Sequence, residues 1–152
     1  MSSAPSLLLL KPDVVSHPFL LRIVFDELLS SGLRILSIRP LRLDRSQAEN
    51  LYQMHRGRFY YGRLVRHISS GPVVALKVIG DARAVLGSSK LFPLAHEKDL
   101  TLRQRFSISD VRNVAHNSDP ENAQKELEMV EPMEEMKDFS QVEHSLRELY
   151  RR

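Results

Sequence analysis

The sequence contains no cysteine, so it can form no disulfide, no thiolate metal site and no thiol nucleophile. That suits a reducing compartment without requiring one. No apolar run approaches the roughly eighteen residues of a membrane span: Leu7 to Leu10 is stopped at once by Lys11-Pro12-Asp13. The Leu run also lacks a basic segment before it and a small-residue cleavage site after it, so it reads as a buried strand rather than a secretory leader. There is no internal repeat. His17, His55, His67, His96 and His144 stand without carboxylates at metal-ligand spacing, so zinc is not indicated and each reads as structural or solvated.

What is present is the composition of one soluble domain: 152 residues, 42% hydrophobic and 27% charged, enough to bury a core. The charge is uneven. Residues 1–119 carry 17 Lys and Arg against 10 Asp and Glu, and residues 120–152 carry 5 against 9. The basic part is where anions would bind, and nucleic acid, nucleotide phosphates or a merely solvated face all remain open on charge alone.

Ser6 to Leu10 predicts a strand, and Phe19 to Leu29 a helix with Pro18 in its first turn and Gly32 at its C-terminal end. Leu33 to Leu43 predicts a second strand. Ser46 to His55 predicts a helix capped by Ser46 with Glu49 three residues on. A further helix is expected from Phe59 to Ile68, ending at Ser70-Gly71-Pro72, then a third strand from Val73 to Ile79. Beyond it lie a short helix near Ala82 to Leu86, a long irregular loop to Asp99, a short strand from Val111 to Ala115, and a helix from Pro120 towards Val130 capped by Asp119. This alternation implies an α+β sandwich of ferredoxin-like type, βαββαβ, with an antiparallel sheet covered by helices. The domain is expected over 1–130, and 131–152 as an acidic, partly helical extension.

Three segments carry the chemical signal: Lys11-Pro12-Asp13, Arg58-Phe59-Tyr60-Tyr61 through Ser70-Gly71-Pro72, and Arg112-Asn113-Val114-Ala115-His116-Asn117-Ser118-Asp119. In order and spacing they resemble the nucleoside diphosphate kinase family over about residues 6–130, closest to its divergent type 6 (group II) branch. The resemblance implies γ-phosphoryl transfer from a nucleoside triphosphate to His116 and then to a nucleoside diphosphate. Imidazole suits the role because it offers a nucleophilic nitrogen near neutral pH without a separate base.

By the same resemblance, Ser118 and Glu126 would support the His116 ring. Lys11, Tyr52, Arg83, Ser89, Arg103 and Asn113 would contact phosphates or ribose, and Tyr60 and Leu64 would pack on the base. Mg²⁺ would arrive with the nucleotide, held by phosphates and water. The chain departs from the family pattern at Asp110, where an apolar residue is usual, at Asn117 in place of glycine, and in the shortened segment before Arg83. Expected partners are nucleoside di- and triphosphates, a protein docking on the acidic tail or long loop, and further copies of the chain, in a cytoplasmic or mitochondrial setting. Two other readings stay open: a kinase-derived binding module, and a basic nucleic-acid binder, the least favoured.

Overall fold

The computed structural model describes residues 4–87 and 100–151. Strands β1 (Ser6–Leu10), β2 (Arg34–Leu41), β3 (Val73–Ile79), β4 (Ala115–Asn117) and β5 (Glu134–Glu135) form one sheet in the order β4-β1-β3-β2-β5. Every pairing is antiparallel. The fold is α+β and ferredoxin-like, with a two-residue strand added at the β2 edge.

Leu7 to Leu10 is fully buried because β1 lies inside the sheet and both of its faces are covered. Alternate side chains point to opposite faces. Leu8 and Leu10 join one core with Val24, Phe25 and Leu28, whereas Leu7 and Leu9 join a second with Leu51, Val65 and Leu127. The first core packs helix α2 (Pro18–Ser30) and helix α8 (Ser140–Tyr150), and the second packs α3 (Arg45–Leu51), α4 (Tyr61–Ile68) and α7 (Ala123–Met129). The C-terminal segment is seated in the first core: Phe139, Val142 and Leu146 are buried there, and the Phe139 ring lies 5.0 Å from that of Phe25.

Several boundaries differ from expectation for identifiable reasons. Asp44, not Ser46, caps α3, because Asp44 is extended and completes a reciprocal capping box with Gln47. Helix α4 begins at Tyr61 rather than Phe59, after a turn in which Gly57 takes φ +89°. Strand β4 covers Ala115–Asn117 rather than Val111 to Ala115. The Ser109 hydroxyl accepts the N–H groups of Val111 and Arg112, which withdraws them from the sheet. From Pro120 the chain first makes a 3₁₀ turn to Asn122, uncapped by the Asp119 side chain, and only then α7.

Two short helices are additional: α1 (Pro12–Val15), opened by its proline, and α6 (Leu102–Phe106), opened by a Thr101–Gln104 capping box. The expected helix at Ala82–Leu86 is α5. Most of the long loop after it, including Ser89, lies outside the described residues. Among the described residues no helix is long and apolar enough to cross a membrane.

Candidate active site

Leu9 pairs with His116, so the His116 side chain projects on the face covered by α3, α4 and α7. There it meets Glu126 of α7, with His116 Nε2 2.7 Å from Glu126 Oε1 and both side chains largely shielded. If the carboxylate receives the Nε2 proton, the lone pair is left on Nδ1, which among the described residues has no hydrogen-bond partner. The Tyr52 and His116 ring centroids lie 5.4 Å apart at an interplanar angle of 86°. Histidine, carboxylate and aromatic thus come from three elements on one face.

The aim of His116 depends on an unusual turn two residues earlier. Val114 has φ +82°, and Ala115 N–H donates to Asn113 O at 3.0 Å, which defines a γ-turn centred on a β-branched residue. It is pinned on both sides. Lys11 N–H donates to Val114 O at 2.9 Å, and Val114 N–H donates to Asp13 Oδ2 at 3.0 Å. Asp13 Oδ1 in turn lies 2.9 Å from His67 Nε2. Burial opposes ionisation of Asp13, but hydrogen bonds from His67 and Val114 together with the positive groups nearby hold its pKa below the usual 3.8.

A cleft of about 1170 Å³ runs from His116 and Asn117 past Tyr52 and His55 to Phe59, Tyr60 and Leu64. The end at His116 is basic and polar; the other sets Phe59, Tyr60 and Leu64 beside Arg63, whose guanidinium lies over the Phe59 ring, so aromatic surface and positive charge both face an occupant, as a nucleotide would require. At the basic end Lys11 is buried and donates to Asn113 Oδ1 at 2.7 Å and Val111 O at 3.1 Å. Burial, reinforced by the Arg103 charge and only partly offset by Asp13, lowers its pKa to about 7. Asn113 also donates to Asp110 O. Tyr52 is buried, its hydroxyl has no partner among the described residues, and burial raises its pKa above the usual 10.

The expected site residues do not all play the parts expected of them. His116, Glu126, Tyr52, Lys11, Asn113, Tyr60 and Leu64 converge on the cleft or its immediate wall. Ser118 is turned to the sheet: its hydroxyl accepts Leu7 N–H at 3.0 Å, tying β4 to β1 just past His116. Arg103 reaches the cleft, but its guanidinium donates to the carbonyls of Gly87, Asn113 and Ala115, holding the His116 strand. Arg83 is paired with Asp119. Ser89 lies outside the described residues. Asp13, His55 and His67 emerge only from the structure; for Asp13 the signal was its place in Lys11-Pro12-Asp13.

Fold and cleft together define a ferredoxin-like domain with a histidine–carboxylate pair at the basic end of a nucleotide-sized groove. The family model for nucleoside diphosphate kinase matches residues 5–136. Nucleoside diphosphate kinase 6 of Homo sapiens is 35% identical over 119 residues, covering 75% of this chain and 64% of that protein, so the match spans under two thirds of the human relative. Its counterpart in Danio rerio is 32% identical over 149 residues, 94% of this chain and 82% of that one. The nucleoside diphosphate kinase of Halobacterium salinarum, solved with CDP, superposes with a TM-score of 0.76 at 25% identity, covering 93% of this chain and 98% of that one. The chain belongs to the nucleoside diphosphate kinase family, close to its type 6 members.

Proposed function

We propose that this chain is a nucleoside diphosphate kinase working through phospho-His116. The observation that carries the reading is the His116–Glu126 contact of 2.7 Å at the wall of the cleft, which leaves Nδ1 as the ring nitrogen the carboxylate does not engage. Nδ1 attacks the γ-phosphorus of a nucleoside triphosphate; an N–P bond forms, the bond to the β-phosphate oxygen breaks, and the diphosphate leaves. The terminal oxygen of a second diphosphate then attacks the same phosphorus and the N–P bond breaks. Positive charge gathers on the ring during each transfer, and Glu126 stabilises it.

Lys11, Tyr52 and Asn113 furnish the polar wall for phosphates or ribose, and Tyr60 and Leu64 the apolar wall for the base. Ser118 and Arg103 serve the reaction by holding the His116 strand. Among the described residues no group of three His, Cys, Asp or Glu could cage a cation. Mg²⁺ would travel on the phosphates and water, as the family's chemistry implies. The same reading sets the chain in an intracellular nucleotide pool, cytoplasmic or mitochondrial, as a homo-oligomer.

Labelled ATP should give an acid-labile phosphoprotein, and His116→Ala should abolish the label. A folded parent chain that takes up none defeats the reading. One observation favours a second reading, a slow or inactive nucleotide-binding module acting through protein partners: Arg103 and Arg83 are already engaged by protein oxygens, which thins the free positive charge around a triphosphate. Binding of nucleotide without labelling of His116 would select it.

A further inference from the structure

A chain of hydrogen bonds leads from the wall of the cleft to the turn that aims His116, and it begins at a residue the proposed mechanism does not use. His67 stands in the last turn of α4, lines the cleft and is mostly covered, its side chain 11% exposed. The helix holds it firmly, because the neighbouring Leu64, Val65 and Ile68 are buried in the second core. His67 Nε2 lies 2.9 Å from Asp13 Oδ1, and the other oxygen of that carboxylate accepts Val114 N–H at 3.0 Å. Three segments far apart in sequence, α1, α4 and the turn before β4, thus meet on one buried carboxylate.

The direction of the first contact is fixed. Asp13, whose pKa folding lowers, is ionised at neutral pH, and an ionised carboxylate only accepts hydrogen bonds. Nε2 therefore carries the hydrogen, and Nδ1 has no partner among the described residues. A carboxylate held at one oxygen alone can swing about its side chain; held at both, it has a single orientation. That orientation matters because Val114, at φ +82°, is the one residue other than glycine with a left-handed backbone among the described residues. A β-branched residue takes up such a conformation only where its surroundings impose it. Lys11 N–H and Asp13 Oδ2 impose it from the two sides, and His116 follows two residues on.

We infer that His67 is a positioning residue for phosphoryl transfer: its Nε2–H orients Asp13, Asp13 holds the Val114 turn, and the turn sets where the His116 ring stands relative to the γ-phosphorus. The inference deepens the kinase reading above and rests on it. A contact that served stability alone would need only to join α1 to α4. The second carboxylate oxygen, on Val114, is what carries the effect on to His116.

The test compares the parent with two variants of the full chain. His67→Phe keeps a planar ring and loses the donor, and His67→Gln keeps an N–H that reaches about as far as Nε2. Single-turnover labelling by ATP with Mg²⁺, over a range of ATP concentrations, separates binding from transfer. His67→Phe should slow the saturating rate by about tenfold, and up to the hundredfold that a misplacement of about 1 Å costs, with half-saturating ATP within about twofold of the parent. His67→Gln should recover most of the lost rate. By nitrogen NMR the neutral His67 ring of the parent should carry its proton on Nε2, and the Val114 amide proton should move upfield in His67→Phe and return in His67→Gln. A His67→Phe protein as fast as the parent, a His67→Gln protein as slow as His67→Phe, or a loss that falls on ATP affinity rather than on rate overturns the inference. So does a neutral parent ring protonated on Nδ1, a result that depends on no variant folding. A folded parent that takes no label defeats the kinase reading instead, and the proton position and the Val114 shift then still test the hold on the turn.

Discussion

Replacing Glu126 by glutamine keeps shape while removing charge, and so measures what the carboxylate does for His116. The contact is 2.7 Å long, and the two side chains are only 16% and 10% exposed, so solvent screens the pair weakly. A hydrogen bond to a charged group in such a site is worth about 1.5–3 kcal/mol. Glutamine can still accept the Nε2 proton, but it cannot balance positive charge on the ring as Nδ1 attacks phosphorus, so most of this falls on the transition state. At about 1.4 kcal/mol per decade, phosphoryl transfer should slow by about ten- to hundredfold. Rapid mixing with labelled ATP, following acid-labile label in a single turnover, reads the step directly, while thermal unfolding checks that the variant is folded. A Glu126→Gln protein that phosphorylates His116 within about twofold of the parent rate would refute the role given to the carboxylate's charge.

The turn at Val114 makes an unusual stability prediction. At an unstrained buried site a Gly variant trails the Ala variant by about 1.5 kcal/mol, through lost burial and backbone entropy. Here the left-handed backbone costs alanine about 1–2 kcal/mol, so Val114→Ala and Val114→Gly should unfold within about 0.5 kcal/mol of each other in urea; a full deficit for glycine would show that the turn is unstrained. Asp13→Asn removes one of two acceptors and should cost about 1–3 kcal/mol at neutral pH. Because folding lowers the Asp13 pKa, the difference from the parent should persist above 3.8 and shrink only as acid protonates the folded carboxylate. Lys11 has the opposite linkage: its pKa falls from 10.5 to about 7 on folding, so the unfolded chain binds more protons between those values. Parent stability relative to Lys11→Met should therefore rise with pH in that window, by up to about 1.4 kcal/mol per unit in matched denaturation curves. A chain ending at Asp138 loses three buried side chains at about 1.5–3 kcal/mol each, comparable to a whole domain's stability, and should show no cooperative thermal transition.

Most of the framework was legible because local signals and tertiary demands agree. The Leu run of β1, the proline-opened α2 with Gly32 beyond its end, and Val73–Ile79 each combine a hydrophobic pattern with a clear boundary. The sequence was ambiguous at Asp44 and Ser46, which both carry a glutamine or glutamate three residues on; only backbone geometry chose the first. The Thr101–Gln104 box is a cap signal set in a polar stretch with no apolar run to frame it. His116 and Glu126 could be paired through motif resemblance. The Arg103 contacts could not, because they tie an α6 side chain to backbone carbonyls at the end of α5, in the turn before β4 and in β4 itself, which have no sequence signature. Likewise nothing in the spacing of Asp13 and His67 announces a contact 54 residues apart.

The small strand Glu134–Glu135 lies against Ser37 and Ile38, with Met136 N–H continuing onto Leu36 O and Arg39 clasping the carbonyls of Val130 and Glu131. A long outer strand is a template on which any extended peptide can crystallise into fibrils. By spending two acidic residues there, the chain replaces an adhesive margin with a short, negatively charged one, and the opposite margin, β4, is only three residues long. The tail is thus a selvedge that keeps the woven sheet from unravelling into its neighbours.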